Sequence, residues 1–254
     1  SEQLVLGVDV GGTKVAVAAL NGLDVVVRAE RPTVLTSSSA LLDGLEQTAR
    51  EVIAQSAEPM AVGVGVPSQI EYDTGRVETS VNIPLTGVPL REELGRRFGV
   101  PVFVDNDANV AALAEARLLS CDELVMLTLG TGVGGGVVTG GRIFRGANGL
   151  GAELGHFTLM PDGPPCPGNC PNSGCVEAYC SGQALERDAT ELARDKPGSR
   201  LAAALDKDGR VDGRELVTAA EEGDSDAVLL LGRFARTHGP FTTGDISAHL
   251  GLPP

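Results

Sequence analysis

Tryptophan is absent, and aromatic residues make up only 3% of the 254-residue chain. So few rings leave little material for stacking nucleobases. Positive charge is also short. Lys and Arg number 20 against 34 Asp and Glu, a formal net charge of −14. So acidic a surface disfavours a phosphate backbone or anionic lipid, so neither nucleic acid nor a membrane is expected as a partner. No apolar run reaches the roughly 20 residues of a membrane span and no secretory leader is visible, so a cytoplasmic protein is expected. Cysteines number five, and four lie between Cys166 and Cys180. Without an export signal, that clustering reads as metal binding before disulfide.

What is present is an ordinary globular composition, 42% hydrophobic and 21% charged, with 34 glycines. The length suits one large domain or two lobes. The glycines cluster at 11–12, 130–136, 140–141 and 146–155. Clustered glycine marks special backbone angles or a close approach of backbone to a ligand. Apolar runs at 3–10, 61–66 and 123–130 read as buried strands. KVAVAAL and DVVVRAE read as two more strands, joined by a hairpin turn at Asn21-Gly22. Helices are predicted over 39–55, 89–98 and 108–119, and over most of the chain after Glu177. Strands alternating with helices imply an α/β protein. The boundary between an N-terminal lobe (1–112) and a C-terminal lobe (113–231) is expected in or just after the helix starting at Ala108.

Three constellations carry chemistry. In Asp9-Val10-Gly11-Gly12-Thr13-Lys14 a strand delivers a carboxylate beside a Gly-Gly turn, a hydroxyl and an ammonium. It is either a tight hairpin with a surface lysine or an anion-holding turn with Asp9 near Mg²⁺. Gly130-Thr131-Gly132-Val133-Gly134 repeats the pattern after another strand, as a glycine-smoothed hairpin or a second nest of N–H groups. Two such loops after two strands suggest a polyphosphate held from both sides. Neither has the Walker form, and neither is a dinucleotide fingerprint. Asp105-Asn106-Asp107-Ala108-Asn109 stands at a strand end and helix start. There an Asp either caps the helix or serves as a base for a substrate hydroxyl.

His156, Cys166, Cys170 and Cys175 form a fourth group, one imidazole and three thiols, the donor set of a closed Zn²⁺ site. Buried thiols without metal are the alternative. Cys121 and Cys180 belong to no motif and read as core residues.

DVGGTK, VDNDANVAALAE, LTLGTGVGGG, GAELGH and GCVEAYCSG stand in the order seen in the ROK family of sugar kinases and repressors, which the chain resembles from about Leu4 to about Leu231. The resemblance implies the actin-like ATPase fold of the sugar kinase, Hsp70 and actin superfamily, an α/β architecture of two lobes with a ligand cleft. It also implies ATP-dependent phosphorylation of a hexose, most often glucose. Asp107 then matches the catalytic base. Asn106, Glu153, His156 and Glu177 match sugar-contacting positions, and Asn82 resembles the Asn-x-Pro segment bordering the sugar. Asp9, Gly11, Gly12, Thr13, Lys14, Gly130, Thr131, Gly132 and Gly134 correspond to the ATP-Mg²⁺ side. The family's structural zinc is similar to the His-Cys pattern here, although three residues rather than one separate Cys166 from Cys170. Homodimers are frequent in the family.

Two departures stand out. Ser68 follows Pro67 where kinases of the family commonly carry Gly. After EEGDSDAVLLLGRF the family's adenine-side elements do not follow. Instead residues 232–254 resemble the opening half of a helix-turn-helix, with Thr242 or Thr243 as cap, Ile246 and Leu250 on one face and Gly251 at the turn. The recognition helix of such a motif is missing. A non-catalytic sugar sensor and a truncated, inactive kinase fragment are therefore the alternatives to an active hexokinase. The particular hexose, and ATP against polyphosphate as donor, stay open at the level of sequence.

Overall fold

The computed structural model describes residues 4–168, 170–205 and 209–237. The half-motif expected over 242–251 lies outside them. The chain forms two compact units, Ser1–Met126 with Gly135–Ala152, and Leu127–Gly134 with Glu153–Pro254. A boundary at 112/113 would instead cut a helix that packs against the strands Ala61–Val66, Val102–Asn106 and Arg142–Ile143, all within the first unit.

The first unit opens with β1 (Leu4–Val10), β2 (Lys14–Asn21), β3 (Asp24–Pro32), α1 (Ser38–Gln55) and β4 (Ala61–Val66). A hairpin of β5 (Ser68–Glu71) and β6 (Arg76–Ser80) follows, then α2 (Leu90–Phe98), β7 (Val102–Asn106) and α3 (Asp107–Leu118). The main sheet has the order β3-β2-β1-β4-β7. β1 pairs antiparallel with β2 and parallel with β4, and β4 pairs parallel with β7. β8 (Leu124–Leu129), β9 (Val133–Thr139) and β10 (Arg142–Ile143) form a second sheet in the order β10-β9-β8.

The turn after β2 is Gly22-Leu23, one residue later than the sequence suggests. Gly22 takes a φ of 62°, the left-handed value that a tight two-residue hairpin gives to glycine. Helix α1 starts because the Ser37 side chain accepts from the Ala40 N–H. Its apolar stripe of Leu41, Leu45, Ala49 and Val52 is buried on β2 and β3. These side chains join Leu6, Val8, Val64, Leu90 and Val104 in the main core. α3 is short on large apolar residues. Its Ala112 and Ala116 pack with Val138 of β9 in a smaller core against which Cys121 also lies.

The second unit is mainly helical: α4 (Glu177–Cys180), α5 (Gly182–Asp195), α6 (Arg200–Ala203), α7 (Gly213–Glu221) and α8 (Ser225–Thr237). Its core gathers Ala189, Leu201, Val211, Leu216, Ala227 and Leu230. Cys180 is buried. Among the described residues no helix is long and apolar enough to cross a membrane.

The seating of α3 depends on one glycine. A Cβ at Gly136 would lie 2.7 Å from the Ala108 carbonyl oxygen and collide with the Ala112 methyl. Gly136→Ala is therefore expected to destabilise the chain by about 1–3 kcal/mol, read as a lower urea midpoint. An unchanged midpoint would mean that β9 and α3 do not approach this closely.

Candidate functional site

The three parallel strands of the main sheet end at one edge, where α/β sheets present ligand-binding groups. Their pairing aligns Asp9 with Gly65 and Gly65 with Asp105. Asp9 is exposed at this edge. Gly65 has no side chain for a reason. A Cβ there would lie 3.0 Å from Val110 Cγ2 and 3.4 Å from Asp107 Cα, so only glycine lets α3 begin directly over the sheet.

Asn106 caps α3, its Oδ1 accepting from the N–H groups of Ala108 (3.0 Å) and Asn109 (3.3 Å). Its Nδ2 donates to the Ser68 carbonyl at 3.4 Å. Ser68 itself is buried and its hydroxyl bonds Ser80 at 2.8 Å. With the cap supplied by Asn106, Asp107 is the first helical residue. Its Oδ1 accepts from the Ala108 N–H at 2.8 Å. Burial holds the Asp107 carboxyl above its ordinary value of 3.8. The Ala108 N–H opposes that shift, and the nearby charge of Asp9 adds to it.

The first glycine turn closes through Gly11 N–H to the Lys14 carbonyl at 2.8 Å, and Thr33 Oγ1 donates to the Gly11 carbonyl at 2.6 Å. Among the described residues the N–H groups of Gly12 and Thr13 meet no protein acceptor. Lys14 is exposed and pairs with Glu30 on β3 at 2.9 Å. Asn82 lies against this turn, where a Cβ on Gly12 would be 3.7 Å from Asn82 Cβ. It lines an open cavity of about 510 Å³ with Ser80, Ile83, Pro84 and Thr86.

In the second unit, Gly130, Thr131 and Gly132 form the turn between β8 and β9. The start of α5 holds this turn, Gly182 N–H donating to the Gly130 carbonyl (2.8 Å) and Gln183 N–H to that of Thr131 (3.2 Å). Glu177 is buried, and its Oε2 accepts the Val133 N–H at 2.7 Å. Its Oε1 lies 3.4 Å from Cys166 Sγ. Glu153 is exposed and precedes a 3-10 turn, Leu154–His156.

The ligand atoms of His156, Cys166, Cys170 and Cys175 all lie within 4.8 Å of one another. One imidazole and three thiols at that spacing suit a tetrahedral Zn²⁺. His156 Nδ1 is 3.7 Å from Cys166 Sγ, which leaves Nε2 on the ring's other side. Burial, with hydrogen bonds to Cys170 and Cys175, pushes the Cys166 thiol strongly upward. A metal cation reverses that by favouring thiolate.

Each group of expected site residues is thus found by the sheet edge, the first glycine turn or the second-unit loop. Two functional candidates escaped the sequence reading. Gly65 is one, hidden in an unremarkable apolar run. Arg145 is the other, paired with Asp105 at 2.6 Å.

Comparison with known proteins adds an independent line. The sequence pattern described as the ROK family matches residues 5–248. The chain is 36% identical over 245 residues to a glucokinase from Halalkalibacterium halodurans, covering 92% of this chain and 74% of that one. It superposes on a ROK hexokinase from Thermus thermophilus with a TM-score of 0.75 at 36% identity, covering 92% and 74% of the two chains. On a ROK family glucokinase from Streptomyces griseus, solved with glucose and AMPPNP, the TM-score is 0.72 at 33% identity, with 92% and 76% covered. The fold is the actin-like ATPase fold of these sugar kinases.

The raised carboxyl of Asp107 has a sign that can be checked. The native state holds the extra proton between the unfolded and folded values, so ionisation costs stability as pH rises through the folded value. Asp107→Asn is expected to melt higher than wild type at pH 7, with the gap closing below about pH 4. A variant that melts lower at pH 7 would contradict burial as the dominant cause.

Proposed function

The chain belongs to the ROK family, and from that premise we propose that it transfers the γ-phosphoryl group of ATP to a hydroxyl of a hexose, with glucose the first candidate. The observation that carries this reading is Asp107. It is a half-buried carboxylate at the first position of α3, oriented by its neighbour's N–H and freed from capping by Asn106. Phosphoryl transfer asks of a base mainly position and charge. Asp107 takes the proton of the attacking hydroxyl, and its raised pKa brings it nearer to that task.

The other roles follow the family resemblance and are supported by what each side chain has left to offer. Asn106 spends Oδ1 on the cap and keeps Nδ2, with one long hydrogen bond, for a sugar hydroxyl. Asn82 and Glu153 are exposed acceptors, and His156 keeps Nε2. Glu177 has lone pairs beyond those engaged by Val133 and Cys166. Gly12 and Thr13 in the first unit offer backbone N–H groups to phosphate oxygens, as do Thr131 and Gly132, continued by Gly134, in the second, where Gly130 closes the turn by donating its N–H to the Gly132 carbonyl. Gly11 and Lys14 shape the first turn. Asp9 is the carboxylate that would hold Mg²⁺, being exposed beside those donors. The ion neutralises phosphate charge when bound.

His156, Cys166, Cys170 and Cys175 would hold Zn²⁺. The ion would staple a loop that is otherwise tied by backbone hydrogen bonds, among them Leu159 N–H to the Gly174 carbonyl and Cys166 N–H to that of Asn172, and by the bridges of Thr158 with Cys175 and Pro165 with Ser173. The purified protein is expected to contain one zinc per chain by elemental analysis. Cys175→Ser should lose it and melt at a lower temperature. A metal-free protein with full stability would remove zinc from this account.

The direct test is ADP release with ATP, Mg²⁺ and glucose, N-acetylmannosamine, allose or fructose. Hexose-dependent release is expected with at least one of them. Asp107→Asn should lower kcat by roughly 10²–10⁴-fold while glucose binding, measured by calorimetry, stays nearly intact. No release with any hexose would sink the reading. Activity retained in Asp107→Asn would remove Asp107 as the base.

A further inference from the structure

Arg145 stands outside the motifs that suggested the site, yet it touches the first residue of one, Asp105. It follows β10 and opens the glycine-rich segment that begins at Gly146. Its Nε and Nη2 both donate to Oδ2 of Asp105, at 2.9 and 2.6 Å. Its guanidinium carbon lies 3.6 Å from the centroid of the Tyr72 ring, a cation–π contact that fixes the side chain from the other face. The Arg145 and Asp105 side chains are only 25% and 15% exposed, so this is not the freely solvated pair that contributes little.

The other oxygen of Asp105 faces the start of α3. Asp105 Oδ1 accepts the Asn106 N–H at 2.8 Å and the Asn109 side-chain amide at 3.1 Å. Asn109 is buried, and Asp105 accepts from its Nδ2, while Asn109 Oδ1 has no partner among the described residues. One carboxylate therefore holds the residue before Asp107 and the third residue of α3, and its remaining oxygen is held by Arg145. Remove the guanidinium and Oδ2 keeps a partly buried negative charge with no cation. The carboxylate then has reason to turn toward water and release Asn106 and Asn109.

We propose that Arg145 is a positioning residue for Asp107, acting through Asp105 to hold the first turn of α3 in place. This rests on the reading of Asp107 as the base. In-line transfer is sensitive to such placement, and a displacement on the order of 1 Å can cost about 10²-fold in rate. The bland alternative is an ion pair that only ties the loop carrying Gly146 to the sheet.

A double-mutant cycle separates the two. Wild type, Arg145→Ala, Asp105→Ala and the double variant are compared for kcat, both KM values, melting temperature and hydrogen exchange of the amides at 106–109. Arg145→Ala is expected to lower kcat about 10–100-fold, with both KM values within about threefold of wild type. Asp105→Ala should show a similar loss, and the double variant should be no worse than Asp105→Ala alone. Arg145→Lys, which restores the charge but not the fork, should recover part of kcat. It also serves if the alanine variant fails to fold. Exchange at 106–109 should quicken in Arg145→Ala.

Losses that multiply in the double variant would overturn the proposal, as would a change confined to KM or to melting temperature. A wild type that releases no ADP with any hexose would sink the kinase reading alone. The exchange experiment then still decides the clamp, and unchanged protection at 106–109 overturns it.

Discussion

The first unit depends on the parallel pairing of β1, β4 and β7. That register brings Asp9, Gly65 and Asp105 to one level at one sheet edge. Two carboxylates so placed need space between them and a partner for at least one. Gly65 supplies the space, since no side chain rises where α3 begins. Arg145 supplies the partner, an ion pair with Asp105, while Asp9 and Asp107 pair with no cation among the described residues. The raised carboxyl of Asp107 follows from the same crowding, through burial first and through Asp9 second.

The second unit meets a different constraint. Its loop before α4 carries Gly, Pro and Cys but few apolar side chains, so it lacks a core of its own. Polar and sulfur contacts take over that task. Glu177 is the junction, with one oxygen on the backbone of the second glycine turn and the other beside Cys166. The close approach leaves no room for side chains at Gly132 and Gly168, either of which would run into the Glu177 carboxylate. Glycine here serves packing around a buried acid as much as room for a ligand.

Much of this was legible in the chain itself. The runs at 4–10 and 61–66 declared buried strands by continuous apolarity, and α1 declared itself by period. The β5–β6 hairpin did not, because SQIEYDTGRVETS is short, polar and without clean alternation. The hairpin turn moved by one residue because the left-handed position belongs to Gly22, and Asn21 stays in the strand. Lys14 read either as a surface lysine or as a phosphate-side residue, and the folded chain leaves it exposed beside Glu30 of the neighbouring strand. The capping role at α3 fell to Asn106 rather than to an aspartate, which leaves Asp107 available for chemistry.

Sequence alone determined most of the elements, the two glycine turns, the thiol cluster and the DNDAN segment, because periodicity, backbone freedom and ligand spacing are local properties of a chain. Tertiary structure alone decided what those groups touch. That Gly65 backs Asp107, and that Arg145 grips Asp105 from 40 residues away, follows from strand order and register. Spacing along the chain carries no trace of either, since an ion pair is selected by distance in the fold and not by distance in sequence.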